Sequence, residues 1–445
     1  MSRPARSVAD MLKLLRTGQL DEFLARAADF EPADLADVLA QLDDEQRLEV
    51  VKRLPAEVSA GALVEMPGEA HAEDTLAELD PTQAAEIVDE LEDDDAADIL
   101  QTLERETQER ILSQVEDRSD VDRLLSYDEE TAGGRMTAQV VTAQAGDTLG
   151  SALESIRRQA GEQEDFSQIF VIDDASKLLG TLSLKALVVN PPDRAVREVM
   201  EPADLTVPPE MDQEQVARLM SRYNVPSIAV VDQTGKLLGR VTFDDVIDVV
   251  EAETTEDMLR FGGVSADEDL AAPWNTAIQT RLPWLFVNLL TAFLAASVVV
   301  LFQDTLARTL ALTAWMPIIA GMGGNAGTQA LAVTVRRLAL GQIQTSRFMG
   351  VIAKELLVGL INGLAIGVAV GVVAFVTGQG PRLGLVVFLA MSGNLIVAGF
   401  AGAFIPLLLQ RLKIDPAIAS SVFVTTFTDM CGFALLLGLA GSILL

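Results

Sequence analysis

FMGVIAKELLVGLINGLAIGVAVGVVAFV, residues 348–376, carries no charge beyond Lys354 and Glu355 near its start. About 20 helical residues cross a hydrocarbon core about 30 Å thick, so a run this long and apolar is a membrane crossing. Four further segments, near 282–302, 311–335, 384–409 and 417–444, have the same character and give an α-helical bundle of five spans. Arg281, Arg336, Arg337, Arg347, Lys354, Arg411 and Lys413 all fall on one side of such a bundle, and the other side holds only Arg308 and Arg382. The basic side is cytosolic, which leaves the C-terminus outside.

Charge divides the 445 residues as sharply as hydropathy does. After Leu270 there are nine Lys/Arg and four Asp/Glu (Asp304, Glu355, Asp415, Asp429), a net +5, so the first 270 residues hold −37 of a total of −32. An acidic front of that density repels nucleic acid and anionic lipid and attracts cations; solubility alone is the competing explanation. Met1 to Leu20 is broken by Asp10, Lys13 and Arg16 and builds no signal-peptide core, so the N-terminus is expected in the cytosol. The one cysteine, Cys431, excludes an intramolecular disulfide, and His71 is equally solitary.

From Glu31 the front repeats every twelve residues or so: EPADLADVLAQL, DDEQRLEVVKRL, PAEVSAGALVEM and onward to ERETQERILSQV. Pro or acid opens each unit and Leu, Met or Val closes it, which predicts short helices stacked as a solenoid or gathered in an irregular bundle. A second repeat follows. IFVIDDASKLLGTLSLKALVV (169–189) and IAVVDQTGKLLGRVTFDDVIDVV (228–250) share strand, turn, KLLG, strand and helix start, each behind an amphipathic helix. This is a duplicated α+β module.

The module resembles a tandem pair of CBS domains, which commonly sense adenine nucleotides or ions. The ribose-binding Thr and Asp of nucleotide-binding members fall here on Thr242 and Asp245 of the second copy, against Ser183 and Ala186 in the first. ATP in the CBS domains is one expectation; a capped helix start is the other. From Val241 to Arg260 one acidic helix runs toward the membrane part, with Asp244, Asp245, Asp248, Glu251, Glu253, Glu256 and Asp257 around Val246, Val249 and Val250.

Two stretches in the membrane part carry chemistry. PIIAGMGGNAGTQA (317–330) places Pro317 and Gly321, Gly323, Gly324 and Gly327 in one span, which predicts a weakened or opened helix with Asn325 and Gln329 on a common, pore-lining face; close packing plus an interhelical amide bond is the competing reading. In DPAIASSVFVTTFTDMCG (415–432), Ser421, Thr425, Thr428, Asp429 and Gly432 fall at helical spacing and predict a polar stripe. An intramembrane carboxylate costs several kcal/mol unless paired or hydrated and usually marks an ion path; a structural pair with Lys354 is the competing role. Carboxylate, hydroxyls and carbonyls suit hard cations, and Mg2+, which keeps most of its waters, could be held by a carboxylate meeting its symmetry mate. Gly359, Gly363, Gly367 and Gly371 form a packing stripe in the third span.

The whole chain resembles the MgtE family of magnesium transporters and channels. The carriers are the acidic helical front, SYDEETAGGRMT (126–137), the CBS pair, EAETTED (251–257), RLPWL (281–285), GMGGNAGTQ (321–329) and DPA…TTFTD (415–429). The resemblance implies an N domain over 1–135, CBS domains over 136–198 and 199–243, an acidic connecting (plug) helix and linker over 244–271 and a transmembrane domain over 272–445. It further implies a homodimer in the plasma (inner) membrane with a pore lined by the second and fifth helices. Asp429 would bind hydrated Mg2+ there, beside Asn325 and Ala326. By motif position Asp94, Asp98, Glu214, Asp245, Asp248, Glu253, Glu256 and Asp257 would be regulatory Mg2+ ligands that hold the channel shut when the ion is plentiful. Two positions depart from the family: Ser421–Val422 stands where many members have Gly-Pro, and Gln303 replaces a frequent Glu, with Asp304 beside it. A broader Co2+, Ni2+ or Mn2+ permease, an exporter, and a non-conducting CBS sensor are the alternatives. No triad, P-loop or catalytic metal cluster suggests an enzyme.

Overall fold

The computed structural model of the chain describes residues 8–116, 118–159, 168–265, 268, 274–343, 348–416 and 421–445. It falls into two compact units, Met1–Ala252 and Glu253–Leu445, each with its own core. Arg347, the linker residues 269–273 and the expected start of the fifth span at 417–420 lie outside the described residues.

The first unit opens with α1 (Val8–Arg16), α2 (Leu20–Ala27), α3 (Pro32–Ala40), α4 (Asp44–Val51), α5 (Ala56–Val64), α6 (Ala72–Ala77), α7 (Pro81–Val88), α8 (Asp93–Gln101), α9 (Arg105–Leu112) and α10 (Ser119–Leu124). Each twelve-residue repeat is one short helix, started as its sequence requires. Pro32 and Pro81 sit in first turns, where a missing N–H is harmless, and the Asp43 and Asp80 carboxylates accept the backbone N–H of Gln46 and Thr82. Helices pack on the next but one: α3 on α5, α5 on α7 and α7 on α9 in one row, α4 on α6 and α6 on α8 in the other. That alternation is a solenoid, and Leu35, Leu39, Leu63, Leu76 and Leu100 fill its core.

The duplicated module follows with β1 (Thr142–Gln144), α11 (Leu149–Gln159), β2 (Gln168–Ile172), β3 (Leu178–Ser183), α12 (Leu184–Val189), α13 (Val196–Val199) and β4 (Glu201–Pro202), then β5 (Thr206–Val207), α14 (Gln213–Tyr223), β6 (Ser227–Val231) and β7 (Leu237–Thr242). The sheets are ordered β1-β2-β3-β4 and β5-β6-β7, each with one parallel pairing followed by an antiparallel hairpin. Both hairpins slip register at the same place, between Val171 and Ile172 and between Val230 and Val231, so the duplication extends to the irregularities. The two SKLLG and GKLLG turns meet: Leu178 donates to the Gly235 carbonyl and Leu237 to that of Ser176, both at 3.0 Å.

Helix α15 (Phe243–Phe261) leaves the module and enters the second unit, which holds α16 (Trp274–Leu301), α17 (Gln303–Arg308), α18 (Leu312–Ala339), α19 (Phe348–Ala374), α20 (Pro381–Arg411) and α21 (Ser421–Ile443). Four of these, α16, α19 (continuing to Thr377), α20 and α21, are long and apolar enough to cross a membrane. α18 is as long as α16, but its glycines, Asn325, Gln329 and threonines dilute its apolarity. The expected five spans therefore appear as five long helices, with α17 an unexpected short one carrying Gln303 and Asp304.

α20 is the enclosed centre of the bundle. The α19 glycine stripe lies against it so closely that a methyl at Gly359 would meet the Leu395 carbonyl at 2.5 Å, and one at Gly363 the Ser392 carbonyl at 2.8 Å. The Ser392 hydroxyl donates to Gly363 O at 2.9 Å. The stripe is helix packing, as small residues at four-residue intervals suggest.

Candidate functional site

α18 and α21 meet through glycine. A methyl on Gly324 would stand 3.2 Å from Thr425 Cγ2, and one on Gly327 would stand 2.6 Å from Val424 Cγ1 and 3.5 Å from Thr428 Cγ2. Gly323 faces Thr428 and Asn394 of α20. The Asn325–Ala326 turn of α18 and the Asp429 turn of α21 thus adjoin one contact, since each neighbours a residue that makes it.

The expectation of an opened second helix is not met. α18 runs unbroken from Leu312 to Ala339, because Pro317 lies early in it and the glycines receive neighbouring helices rather than leaving gaps. The expected polar stripe on α21 also divides. Thr428 and Gly432 are buried against α18 and α20, and the hydroxyls of Thr425, Thr426 and Thr428 donate to carbonyls of their own helix. Asp429 is only half-buried and has no hydrogen-bond or ionic partner among the described residues. Lys354 stands 3.5 Å from Glu355 instead, so the carboxylate it neighbours is its own helix's. On α18, Gly321, Asn325 and Gln329 lie exposed one turn apart, a polar strip left open among the described residues, while Ala326 packs into the bundle.

The end of α15 belongs to the same unit. Phe261 packs against the small core that Leu331 of α18, Ala401 of α20 and Val424 of α21 form. Arg260 is paired with both Glu256 of its own helix and Asp415 of the segment before α21. Asp257 is held above the usual carboxylate range by burial, then by Asp415 and Glu253, against the pull of Arg260 and Arg336. Asp257 thus lies close to Glu253 and Asp415, and Arg260 offsets part of their repulsion through its pairs with Glu256 and Asp415.

A second group of acids lies in the first unit. α8 begins EDDDAAD, and its Asp94 and Asp98, four apart, share the face that carries Ala97 into a core with Met136, Val241 and Val246. That face brings them to the start of α15. Asp94 is pushed well above its ordinary range by burial and by Asp245; Asp95 is raised to about 7 by burial, Asp245 and Glu92; Asp98 to about 6 by burial, despite its ion pair with Arg135. Burial also raises Asp245 and Asp248. One oxygen each of Asp94 and Asp98 is buried with no hydrogen-bond donor among the described residues. Such orphaned acceptors are costly unless a proton or cation satisfies them, so these residues fit a hard cation. Glu214 lies in the first turn of α14 and pairs with Arg218 at 3.4 Å, while its neighbour Gln213 accepts from Arg135 at 3.1 Å. Asp95 joins the group without having been named from sequence, and Asp244, named there only as one acid of the α15 helix, lies close to it. Among the described residues no three His, Cys, Asp or Glu side chains are placed to hold a metal unaided, so an ion here would keep waters or take ligands from a second chain.

Thr242 and Asp245 form a helix cap: the Thr242 hydroxyl and its backbone N–H, the latter at 3.3 Å, both donate to one Asp245 oxygen. In the first copy the Ser183 hydroxyl oxygen accepts the Ala186 N–H at 3.2 Å and caps α12.

Residues 316–439 match the family model for MgtE, a divalent cation transporter; residues 30–130 match the MgtE intracellular N domain, and 132–190 and 196–252 match CBS domains. The magnesium transporter MgtE of Bacillus subtilis is 30% identical over 432 residues, 96% of this chain and 95% of that one. The chain belongs to the MgtE family. Other MgtE relatives agree: the Thermus thermophilus magnesium transporter is 35% identical over 73% of this chain and 72% of its own, and that of Enterococcus faecalis 35% over 71% and 69%. The cytosolic domain of the Mg2+ channel MgtE in complex with ATP superposes with a TM-score of 0.51 at 34% identity, over 54% of this chain and 99% of that one. The soluble part of a magnesium transporter gives 0.51 at 30%, over 55% and 97%. MgtE membership and the apolar helices make this a multi-pass membrane transporter rather than an enzyme.

Proposed function

We propose that this MgtE-family chain carries Mg2+ across the plasma membrane as a homodimeric channel that intracellular Mg2+ closes, with its N-terminus cytosolic and its C-terminus outside. The observation that carries the reading is Asp429: a half-buried carboxylate with no partner among the described residues, adjoining the α18–α21 glycine contact. Left alone in a bilayer that charge is unfavourable; facing its symmetry mate across a watery path it binds a hydrated divalent ion through the ion's own waters. The uncovered strip of Gly321, Asn325 and Gln329 supports the dimer, since polar groups at membrane depth call for protein or water over them. Relatives named magnesium transporters supply the choice of ion.

Gating rests on the two acidic groups. Asp94, Asp98, Asp245 and Asp248, with Glu214 nearby on α14, and Glu253, Glu256 and Asp257 at the end of α15 repel when bare and are drawn together by a divalent ion. Phe261, packed against the core that joins α18, α20 and α21, gives α15 a grip on the conducting helices. ATP binding at Thr242 and Asp245 belongs to the same proposal, with the nucleotide ribose displacing the cap between them. The test is Mg2+ uptake by proteoliposomes at low and millimolar internal Mg2+. Uptake that is absent, or indifferent to internal Mg2+, rejects transport or gating respectively.

A further inference from the structure

Asn394, in the middle of α20, is fully buried and belongs to none of the sites above. Its Nδ2 donates across to the Ile319 carbonyl of α18 at 2.9 Å. Ile319 lies one turn before Gly323, and both Gly323 and Gly432 of α21 are pressed against the same amide: a methyl at Gly432 would meet Nδ2 at 2.8 Å and Ile319 Cγ2 at 3.2 Å. Gly323 also faces Thr428, the residue before Asp429. One amide therefore fills the junction of three helices, level with the Asp429 turn. The donor bond fixes which way the amide points and leaves Oδ1 buried with no partner among the described residues. An apolar side chain of similar volume would fill the junction without stranding an acceptor, so packing alone does not account for an asparagine here. α20 is itself pinned to α19 by the glycine stripe and by the Ser392 bond, which makes it a fixed platform.

We infer that Asn394 is a positioning residue for the conducting path: from the α20 platform it holds α18 by the Ile319 carbonyl and α21 by contact at Gly432, and so sets the spacing between the Asn325–Ala326 turn and Asp429. This rests on the reading of Asp429 as the conducting site. The hydrogen bond restrains α18, the contact restrains α21, and their common origin couples the two.

The experiment compares full-length protein with Asn394→Leu and with the compensating pair Asn394→Ala/Gly323→Ala, which refills the space without the amide. Two readouts are taken: Mg2+ concentration dependence of uptake in proteoliposomes, and amide hydrogen exchange of the α18 stretch 319–327 in nanodiscs. The second does not depend on which ion is carried. A folded variant should exchange about tenfold faster in 319–327, the scale of losing a strong interhelical hydrogen bond, with half-saturating Mg2+ shifted by a similar factor. If Asn394→Leu does not fold, the compensated pair carries the same expectation. Exchange within twofold of wild type in a folded variant overturns the inference, whatever the flux. Faster exchange in variants of a protein that takes up no Mg2+ upholds the positioning role and rejects the transport reading alone.

Discussion

Mg2+ binding to the acids of α8 and α15 should tighten steeply with pH. Asp95 and Asp98 are raised to about 7 and about 6, so at pH 6 the cluster holds roughly 1.4 protons on these two groups and at pH 8 roughly 0.1. An ion that requires both carboxylates ionised competes with those protons. The penalty relieved between pH 6 and pH 8 is about tenfold for Asp95 and about twofold for Asp98, together roughly 20-fold in apparent affinity. The sign in the ion-free protein is opposite. Both folded pKa values lie above the unfolded value of 3.8. The stability the protonated carboxyls contribute is therefore complete below about pH 4 and lost as pH rises through 6 to 7. Ion-free protein should melt lower at pH 8 than at pH 6, and the rise on adding Mg2+ should be larger at pH 8. Calorimetric titration of the full-length protein in detergent, in two buffers of different ionisation enthalpy, measures affinity and proton release together. An affinity that changes by less than twofold between pH 6 and 8, with no protons released, refutes the assignment of these acids to a regulatory ion.

Three further outcomes follow from local geometry. Gly359→Ala places a methyl 2.5 Å from the Leu395 carbonyl and should destabilise the membrane unit by about 1–3 kcal/mol, read as a lower denaturation midpoint; Gly321→Ala, with nothing nearby, should not. Thr242→Val removes the hydroxyl given to Asp245 and should lower the stability of the first unit by about 1 kcal/mol in thermal unfolding; no change would mean the cap is idle. Arg260→Gln breaks the pairs to Glu256 and Asp415, so the end of α15 should be cut faster by protease at low Mg2+ and be protected again at millimolar Mg2+. Equal cutting of variant and wild type at low Mg2+ would show that Arg260 does not hold the helix.

Much of the architecture was legible because it rests on composition over long windows. The twelve-residue repeats, the duplicated KLLG module, the acidic helix and the long apolar stretches each gave the element found, with the α18 boundaries within a few residues of expectation. α16 was misjudged at its start, since the helix continues back through Pro283 to Trp274. The glycines of α18 left weakness and close packing both open, and they are contact surface; a sequence does not say whether a neighbour will arrive to fill the space. At the sites, Asp94 and Asp98 were named only by motif position through the family resemblance, and helix spacing did not mark them. Nor were the residues joined by tertiary approach readable: Arg135 to Asp98, Asp415 to Arg260, Asp95 to Asp245. Asn394 left a signal that went unused, an amide in the middle of the apolar run MSGNLIV.

The most direct test of the account is Mg2+ uptake by proteoliposomes holding wild-type protein or Asp429→Asn, which keeps the side chain's size and removes its charge. The prediction is robust wild-type uptake that closes as internal Mg2+ rises, and a fall of at least about tenfold in the variant at unchanged insertion and melting behaviour, a loss of about 1.4 kcal/mol or more in stabilising the passing ion. Uptake by Asp429→Asn equal to wild type would contradict the central claim that this carboxylate is the conducting site.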